Sequence, residues 1–257
     1  MRPTPAIDEV SFIFGEKPNG DLGAQVYIDT HDPDNNTWYY RWEWQETWEF
    51  RTPYNSYIYY DEGEIKLREE DINTCWKSGR STSIEVATSK NLSSDHISDY
   101  PIHFVSAKTD RLNFRYSMLV KQFALSEESY VFWNEMKKFT ETLGTLFDPQ
   151  PSVIKGNIHN VADDKEIVIG YFDASEVKEQ RIFIRNSDLP SIRFPNYFSS
   201  CEDTIVSEDM IPAMLATNYM LVAEEMDMTG LPVYLFSTAG CVDCTKYGTN
   251  VKPPFWN

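Results

Sequence analysis

Strict alternation over residues 37–51 is the feature that most constrains the fold. The segment reads TWYYRWEWQETWEFR. Every second side chain from Trp38 is large and aromatic except Glu46, and the row consists of Trp38, Tyr40, Trp42, Trp44, Trp48 and Phe50. A period of two places this row on one face of a β-strand, whereas a helix would spread it around the circumference. We therefore predict a long central strand of an antiparallel sheet, with the aromatic row facing the core.

An aromatic row on a strand also has a functional interpretation. Exposed indole and phenol rings stack on sugars or bases, so the same residues would serve as a binding platform if the strand were open to solvent. Large aromatic side chains are more often interior than exposed, and we favour the core interpretation for that reason.

Composition indicates a globular chain of moderate size. The 257 residues are 41% hydrophobic and 14% aromatic, which suffices for one large all-β domain or two small ones. We predict a single β-rich domain over residues 1–257. No apolar run approaches the length of a membrane span, and the opening MRPTPAIDEV lacks the basic and apolar regions of a signal peptide.

The charge balance excludes one class of partner. There are 40 acidic and 23 basic residues, giving a net charge of −17. A surface of that sign repels phosphate backbones and anionic lipid headgroups. We expect no nucleic-acid partner.

Short β patterns recur along the rest of the chain. They cover residues 6–14, 22–28, 54–60, 64–68, 74–77, 83–88, 101–108, 112–120, 166–172, 181–185 and 231–237. We predict that the segments 101–108 and 112–120 form a hairpin. For residues 207–228 we predict a short helix followed by a strand.

One amphipathic helix is predicted over about residues 126–143. Ser126 is placed to cap its N-terminus, and Leu125 with Tyr130 has the spacing of a hydrophobic staple. Gly144 and the prolines of FDPQP end the pattern. The predicted fold is a large antiparallel β-sandwich or partly open barrel, with this helix packed on the sheet.

Four cysteines are present, and two of them form a CxxC motif at Cys241 and Cys244. A redox motif would precede a helix, but TKYGTNVKPP follows, and a zinc site would usually show a second closely spaced pair. Two cysteines so close together seldom bond to each other in a structural loop. We predict that each joins one of Cys75 and Cys201, in either combination, which implies an oxidising compartment.

The sequence lacks the familiar catalytic motifs. GxSxG, HExxH, GxxxxGK[ST] and GxGxxG are all absent, and the four histidines show no ligand spacing. Asp32, Asp34 and Asn36 have the alternate spacing of a calcium loop, but the required Gly and Glu do not follow, so an Asx turn is favoured. We predict no catalytic, cofactor-binding or metal-binding residues, and no enzyme activity.

Several short stretches together resemble a known family. They are Cys75-Trp76, DRLNFRYSMLVKQFALSEESYVFW from Asp110, FDPQP, Gly156-Asn157, GYFDAS from Gly170, CVDC and KPPFW. These pieces, within about residues 35–257, are similar to the Bacteroidetes outer-membrane lipoprotein family known as a domain of unknown function (four-two-four-nine). The resemblance implies export, lipid anchoring at the outer membrane and genes beside TonB-dependent transporters, with no known activity or cofactor.

The chain departs from that family pattern at its start, where the signal with its lipidated cysteine and a preceding small β-sandwich domain are missing. We therefore expect the C-terminal part of a longer exported lipoprotein, attached to the membrane only through an anchor outside this chain. Thr204, in Asp203-Thr204-Ile205, resembles the short O-glycosylation motif of such bacteria.

Three functions remain open at this point. The favoured one is a non-enzymatic cell-surface protein that assists a TonB-dependent transporter in nutrient capture or uptake. The first alternative is a secreted carbohydrate-binding or hydrolytic protein that uses the tryptophans as a sugar platform together with surface carboxylates. The second is a structural subunit of an outer-membrane assembly.

Overall fold

The computed structural model describes residues 2–142, 156–163, 166, 168, 170–192, 194–195 and 197–256. Its strands are β1 (Ile7–Glu16), β2 (Leu22–His31), β3 (Tyr39–Arg51), β4 (Ile58–Asp61), β5 (Glu64–Leu67), β6 (Thr74–Arg80), β7 (Glu85–Thr88), β8 (His96–Ser106), β9 (Arg115–Ala124), β10 (Val177–Arg185), β11 (Asp203–Val206), β12 (Tyr219–Met226) and β13 (Pro232–Thr238). Its helices are α1 (Glu127–Thr142), α2 (Ile211–Leu215) and α3 (Ala239–Val242).

The strands form several open, antiparallel sheets. One has the order β1-β2-β8, a second β10-β9-β3-β6 with β7 also paired to β3, and a third β11-β13-β12, while β4 and β5 form a hairpin. Within the described residues none of these sheets closes into a barrel. The prediction of a mainly β, antiparallel fold is confirmed, and the open sheets are consistent with a sandwich.

Some sequence-based assignments were wrong. The predicted hairpin is absent, because β8 pairs with β2 whereas β9 lies between β10 and β3. The expected strand over residues 166–172 is not formed at its described residues. β11 was not anticipated, since its four residues are too few to show a period.

The chain divides into two compact units, each assembled from three segments. The first comprises Met1–Glu46, Gly79–Val105 and Ser117–Phe183, and the second comprises Thr47–Ser78, Ser106–Tyr116 and Ile184–Asn257. The single-domain expectation stays a prediction.

The aromatic row of β3 is mostly interior. Tyr40, Trp42, Trp44, Trp48 and Phe50 are buried, and Trp38, just before the strand, is half-buried. The other face of β3 is also covered, both at the first residue of the strand and towards its end. Tyr39, Thr47 and Glu49 are all buried.

Asp95 and the hydroxyl groups of two other residues form a buried hydrogen-bonded cluster in the first unit. Asp95 accepts hydrogen bonds from the hydroxyls of Tyr40 and Ser89, and its backbone N–H donates to Asn35 Oδ1 at 2.7 Å. Burial, followed by the bond to Asp95, raises the pKa of Tyr40. These pairs satisfy groups that would otherwise be costly to bury, which is a structural role.

The predicted helix is confirmed as α1. Ser126 Oγ accepts a hydrogen bond from the Ser129 backbone N–H at 3.0 Å, which is the expected cap. Leu125 and Tyr130 share an apolar cluster with Val86 of β7, so the helix packs against the sheet. Its predicted C-terminal signals, from residue 143 onwards, lie outside the described residues.

The turn after β2 is an Asx turn, as predicted. The Asp32 carboxylate accepts backbone hydrogen bonds from Asp34 at 3.0 Å, Asn36 at 3.0 Å and Thr37 at 2.9 Å. These bonds use the carboxylate to hold the chain as it enters β3.

The exposed pair His31–Asp8 gives a first testable prediction. His31 Nδ1 lies 2.7 Å from Asp8 Oδ2, and this hydrogen bond raises the pKa of His31 above 6.5. The pair therefore stabilises the folded state at pH values below about 6.5. That contribution is lost as the pH rises through the raised pKa of His31 in the folded state. We expect the urea midpoint of the wild type, relative to that of His31→Gln, to decrease as the pH is raised from about 5.5 to about 8. Parallel pH profiles for the two proteins would contradict this.

Candidate functional site

A cleft of about 910 Å³ lies within the second unit. Its walls come from the end of β3, from β6, from residues 110–114 just before β9, from residues 197–201 and from the segment that begins at the end of β13. This volume falls within the range of small-molecule sites, roughly 300–1,000 Å³.

Two disulfides fix the walls of this cleft. Cys75 is bonded to Cys244 and Cys201 to Cys241, with Cα–Cα distances of 5.7 and 5.8 Å. The prediction that each cysteine of the CxxC motif takes a distant partner is confirmed, and the pairing is now assigned. Cys201 and Cys241 are themselves lining residues. The disulfide therefore ties the irregular segment before Cys201 to α3.

Both cations of the cleft are held in ion pairs. Lys77 Nζ lies 3.1 Å from Asp110 Oδ2 and 4.4 Å from the centre of the Phe50 ring. Arg51 Nη2 lies 2.6 Å from Glu49 Oε1, and its guanidinium stands 4.7 Å from the centre of the Phe114 ring. Each cation of the lining therefore has a carboxylate partner, and the local charge is close to neutral.

Two tyrosines of the cleft are about half exposed yet held in place. Tyr197 is 54% exposed, and its hydroxyl donates to the Lys108 carbonyl oxygen at 2.5 Å. Partial burial and the nearby charge of Asp110 raise the pKa of Tyr197. Tyr247 is 49% exposed and packs edge-to-face on Phe198, with ring centres 5.9 Å apart.

Tyr247 also depends on the glycine beneath it. A Cβ atom at Gly240 would lie 2.3 Å from the Tyr247 hydroxyl oxygen. Only a residue without a side chain lets the phenol rest there. Gly240 thus positions Tyr247 over the cleft.

Amide side chains complete the polar lining. Asn113 Nδ2 donates to the Pro195 carbonyl oxygen at 3.4 Å, while Asn113 Oδ1 is buried and has no hydrogen-bond partner among the described residues. Asn73 Nδ2 donates to the Thr52 carbonyl oxygen at 2.6 Å, which joins β6 to the end of β3. Asn113 is the amide with an acceptor still unmatched.

Two smaller concavities lie among the described residues of the first unit. In one, of about 450 Å³, the lining residue His103 stacks on Trp44 and places Nε2 3.2 Å from Oε1 of buried Glu46. In the other, of about 320 Å³, the Arg41 guanidinium lies 4.0 Å from the Trp133 ring centre, and burial lowers the pKa of Arg41. Both groups serve the packing of β3, and the cleft of the second unit is the better candidate.

Across the described ranges, no three His, Cys, Asp or Glu side chains are grouped so that they could hold a metal ion. No helix in the part of the chain that the structure describes has the length and apolar character needed to cross a bilayer.

Comparison with known proteins gives one match. Residues 1–181 match the family model described as Domain of unknown function (DUF4249). The chain belongs to this family. No curated protein and no solved structure matches the chain significantly.

The DUF4249 match and the sequence resemblance cover different stretches. The resemblance draws on residues 35–257, whereas the match begins at residue 1 and ends at 181. Phe50, Lys77 and Asp110 of the cleft therefore lie inside the matched DUF4249 region, and Tyr197 and Tyr247 follow it.

The predicted site residues of this DUF4249 protein fall in different places. Trp42, Trp44 and Trp48 are buried, so they offer no open face for stacking a sugar. Thr204 is exposed on β11, opposite Phe236 of β13, and its glycosylation stays a prediction.

Sequence reasoning missed the Lys77–Asp110 pair and both cleft tyrosines. One signal was available for the tyrosines: Tyr197 and Tyr247 lie within four residues of Cys201 and Cys244, whose disulfides anchor them. Aromatic residues beside structural cysteines are held still enough to form a site.

Proposed function

We propose that this chain is a non-enzymatic binding module of an exported Bacteroidetes outer-membrane lipoprotein, and that it assists a TonB-dependent transporter in capturing a nutrient at the cell surface. The observation that carries the proposal is the preformed cleft of the second unit, with aromatic, amide and ion-paired side chains on disulfide-fixed walls. Because such a lining is already ordered, ligand binding does not include the entropic cost of ordering its loops.

The two disulfides support the exported location. Disulfide bonds persist in secreted and cell-surface proteins and are rare in the reducing cytosol. Both bonds here join residues far apart in sequence, by 169 and 40 positions, and so serve the tertiary fold. We propose the transporter partner and the lipid anchor on the strength of the family resemblance.

The test is affinity purification of the tagged full-length lipoprotein from native outer membranes in mild detergent. We expect a TonB-dependent transporter to be enriched, relative to the same tag on an unrelated outer-membrane lipoprotein. Recovery of the tagged protein without any transporter would overturn the proposal.

A deletion strain separates nutrient capture from a purely structural role. If the chain captures a nutrient, its deletion should slow growth when that nutrient is limiting and leave growth on rich medium unchanged. A structural subunit would co-purify with the same assembly and show no uptake defect on deletion.

A further inference from the structure

We propose that the cleft of the second unit binds an uncharged saccharide of a few sugar rings. This inference rests on the proposed function, since it names the class of nutrient that the module would capture. Four properties of the lining support it: charge, aromatic surface, hydrogen-bonding character and size.

The charges favour an uncharged ligand. Lys77 is paired with Asp110 and Arg51 with Glu49, so an anion would have to compete with a carboxylate already bound to each cation. The chain as a whole carries a charge of −17, which repels anions at long range. A cation would find Asp110 already paired.

The exposed tyrosines supply surfaces for ring stacking. The Phe50 and Phe114 rings lie within 4.4 and 4.7 Å of Lys77 and Arg51, which occupy those faces. Tyr197 and Tyr247 are about half exposed and fixed by the Lys108 carbonyl and by Phe198. Lys77 Nζ lies farther from the Tyr247 ring centre, at 5.9 Å, and leaves about half of that residue exposed. The C–H face of a pyranose is apolar and packs on such a ring, while the tyrosine hydroxyl keeps a polar contact.

The polar groups match hydroxyls better than they match a purely ionic or purely apolar ligand. A saccharide hydroxyl both donates and accepts, so it can bond to either member of an ion pair without breaking it. An ammonium has three protons and a carboxylate about four acceptor positions, and the Lys77–Asp110 contact uses only part of that capacity. Asn113 and Asn55 add amides to the same lining.

The size sets the number of rings. A volume of about 910 Å³ is near the upper end of the range for small-molecule sites, roughly 300–1,000 Å³. A single sugar would leave much of the cleft in contact with water. A cleft of this volume accommodates an oligosaccharide of a few rings.

The test begins with a glycan array that presents neutral gluco-, manno-, galacto- and xylo-oligosaccharides, with oligogalacturonates and trialanine as charged and zwitterionic probes. The purified chain with both disulfides intact is the sample. We expect saturable binding to at least one neutral oligosaccharide, measured afterwards by titration calorimetry. Binding to none of the neutral probes, or only to a charged or zwitterionic one, would overturn the proposal.

Variants then locate the site. Tyr247→Ala should weaken binding about tenfold, which corresponds to roughly 1.4 kcal/mol. Gly240→Ala should also weaken it, because its Cβ displaces the Tyr247 hydroxyl while the backbone of α3 accepts alanine. Tyr59→Ala is the matched control, since Tyr59 is 37% exposed in the same unit but outside the cleft. Equal binding by Tyr247→Ala and wild type would overturn the assignment of the site.

The two proposals fail in different ways. If the transporter co-purifies but no neutral saccharide binds, the ligand class is wrong and the accessory role stands. If a saccharide binds but no transporter is recovered, the accessory role is wrong and the site stands. Tyr247→Ala should bind the saccharide about tenfold more weakly and retain the transporter.

Discussion

Replacing both Cys75 and Cys244 by alanine is expected to lower the free energy of unfolding by about 5 kcal/mol. The bond joins residues 169 positions apart, and in the chain-entropy model a loop of that length gives roughly 5 kcal/mol. Cys201 and Cys241 are 40 positions apart, for which the same relation gives about 4 kcal/mol. Urea unfolding of both double variants beside the wild type measures the two losses.

Alanine is the right replacement because Cys75 and Cys244 are fully buried in contact with Phe50. Serine would place an unpaired hydroxyl in the same apolar cluster and add a cost unrelated to the bond. The shorter loop is nested inside the longer one, but loop entropy varies only with the logarithm of length, so the order of the two losses should survive. A loss near zero for Cys75→Ala/Cys244→Ala would contradict the prediction.

The second disulfide should matter more for binding than its effect on stability suggests. Cys201 and Cys241 line the cleft and hold the segment that carries Tyr197 and Phe198. Without the bond, that segment would have to be ordered when the ligand binds, which lowers affinity. We expect Cys201→Ala/Cys241→Ala to bind the saccharide more weakly under conditions where it is still folded.

Local periodicity explains which parts of the fold could be predicted. The two-residue repeat of β3 and the cap of α1 at Ser126 are carried by neighbouring residues, and both were found in place. Strand pairing is set by contacts between distant segments, so the sequence did not reveal that β8 pairs with β2 and not with β9. A short connection favours a hairpin only when no other sheet edge competes for the strand.

The candidate site likewise depends on contacts between segments that are distant in sequence. Its charged pair joins Lys77 to Asp110, and its tyrosines lie more than eighty residues beyond that pair. The disulfide prediction was correct because a bond between Cys241 and Cys244 is geometrically unfavourable. Each of the two cysteines therefore needed a partner distant in sequence. Comparable reasoning was not possible for the cleft, since no local rule brings residues 50, 110, 197 and 247 together.

Two buried glutamates of β3 show that a charged side chain can occupy a buried position of an alternating pattern when it has a partner. Glu46 belongs to the aromatic row by spacing and is buried as that row predicts. The carboxylate is tolerated there because His103 Nε2 lies 3.2 Å from it. Glu49, on the face expected to be polar, is also buried and is held by Arg51 Nη2 at 2.6 Å.

Trp42→Ala should be the most damaging single substitution in the first unit. Trp42 is 0% exposed, and its ring stacks near Tyr40 and Tyr100, with ring centres 5.9 and 4.9 Å away. Removing a buried tryptophan costs about 3–5 kcal/mol in lost packing and cavity formation. Trp38→Ala is the control on the same row, because Trp38 is only half-buried and should cost clearly less.

A hydrogen bond adds to that cost and can be measured separately. Trp42 Nε1 donates to Gln122 Oε1 at 2.8 Å, and Gln122 Nε2 donates to Thr30 Oγ1 at 2.9 Å. Gln122 is fully buried, so Trp42→Phe leaves its carbonyl oxygen without a donor at a cost of about 1–3 kcal/mol. In the Gln122→Leu background that acceptor no longer exists, and Trp42→Phe should then cost less. Equal losses in the two backgrounds, measured by urea unfolding as a double-mutant cycle, would contradict the assigned bond.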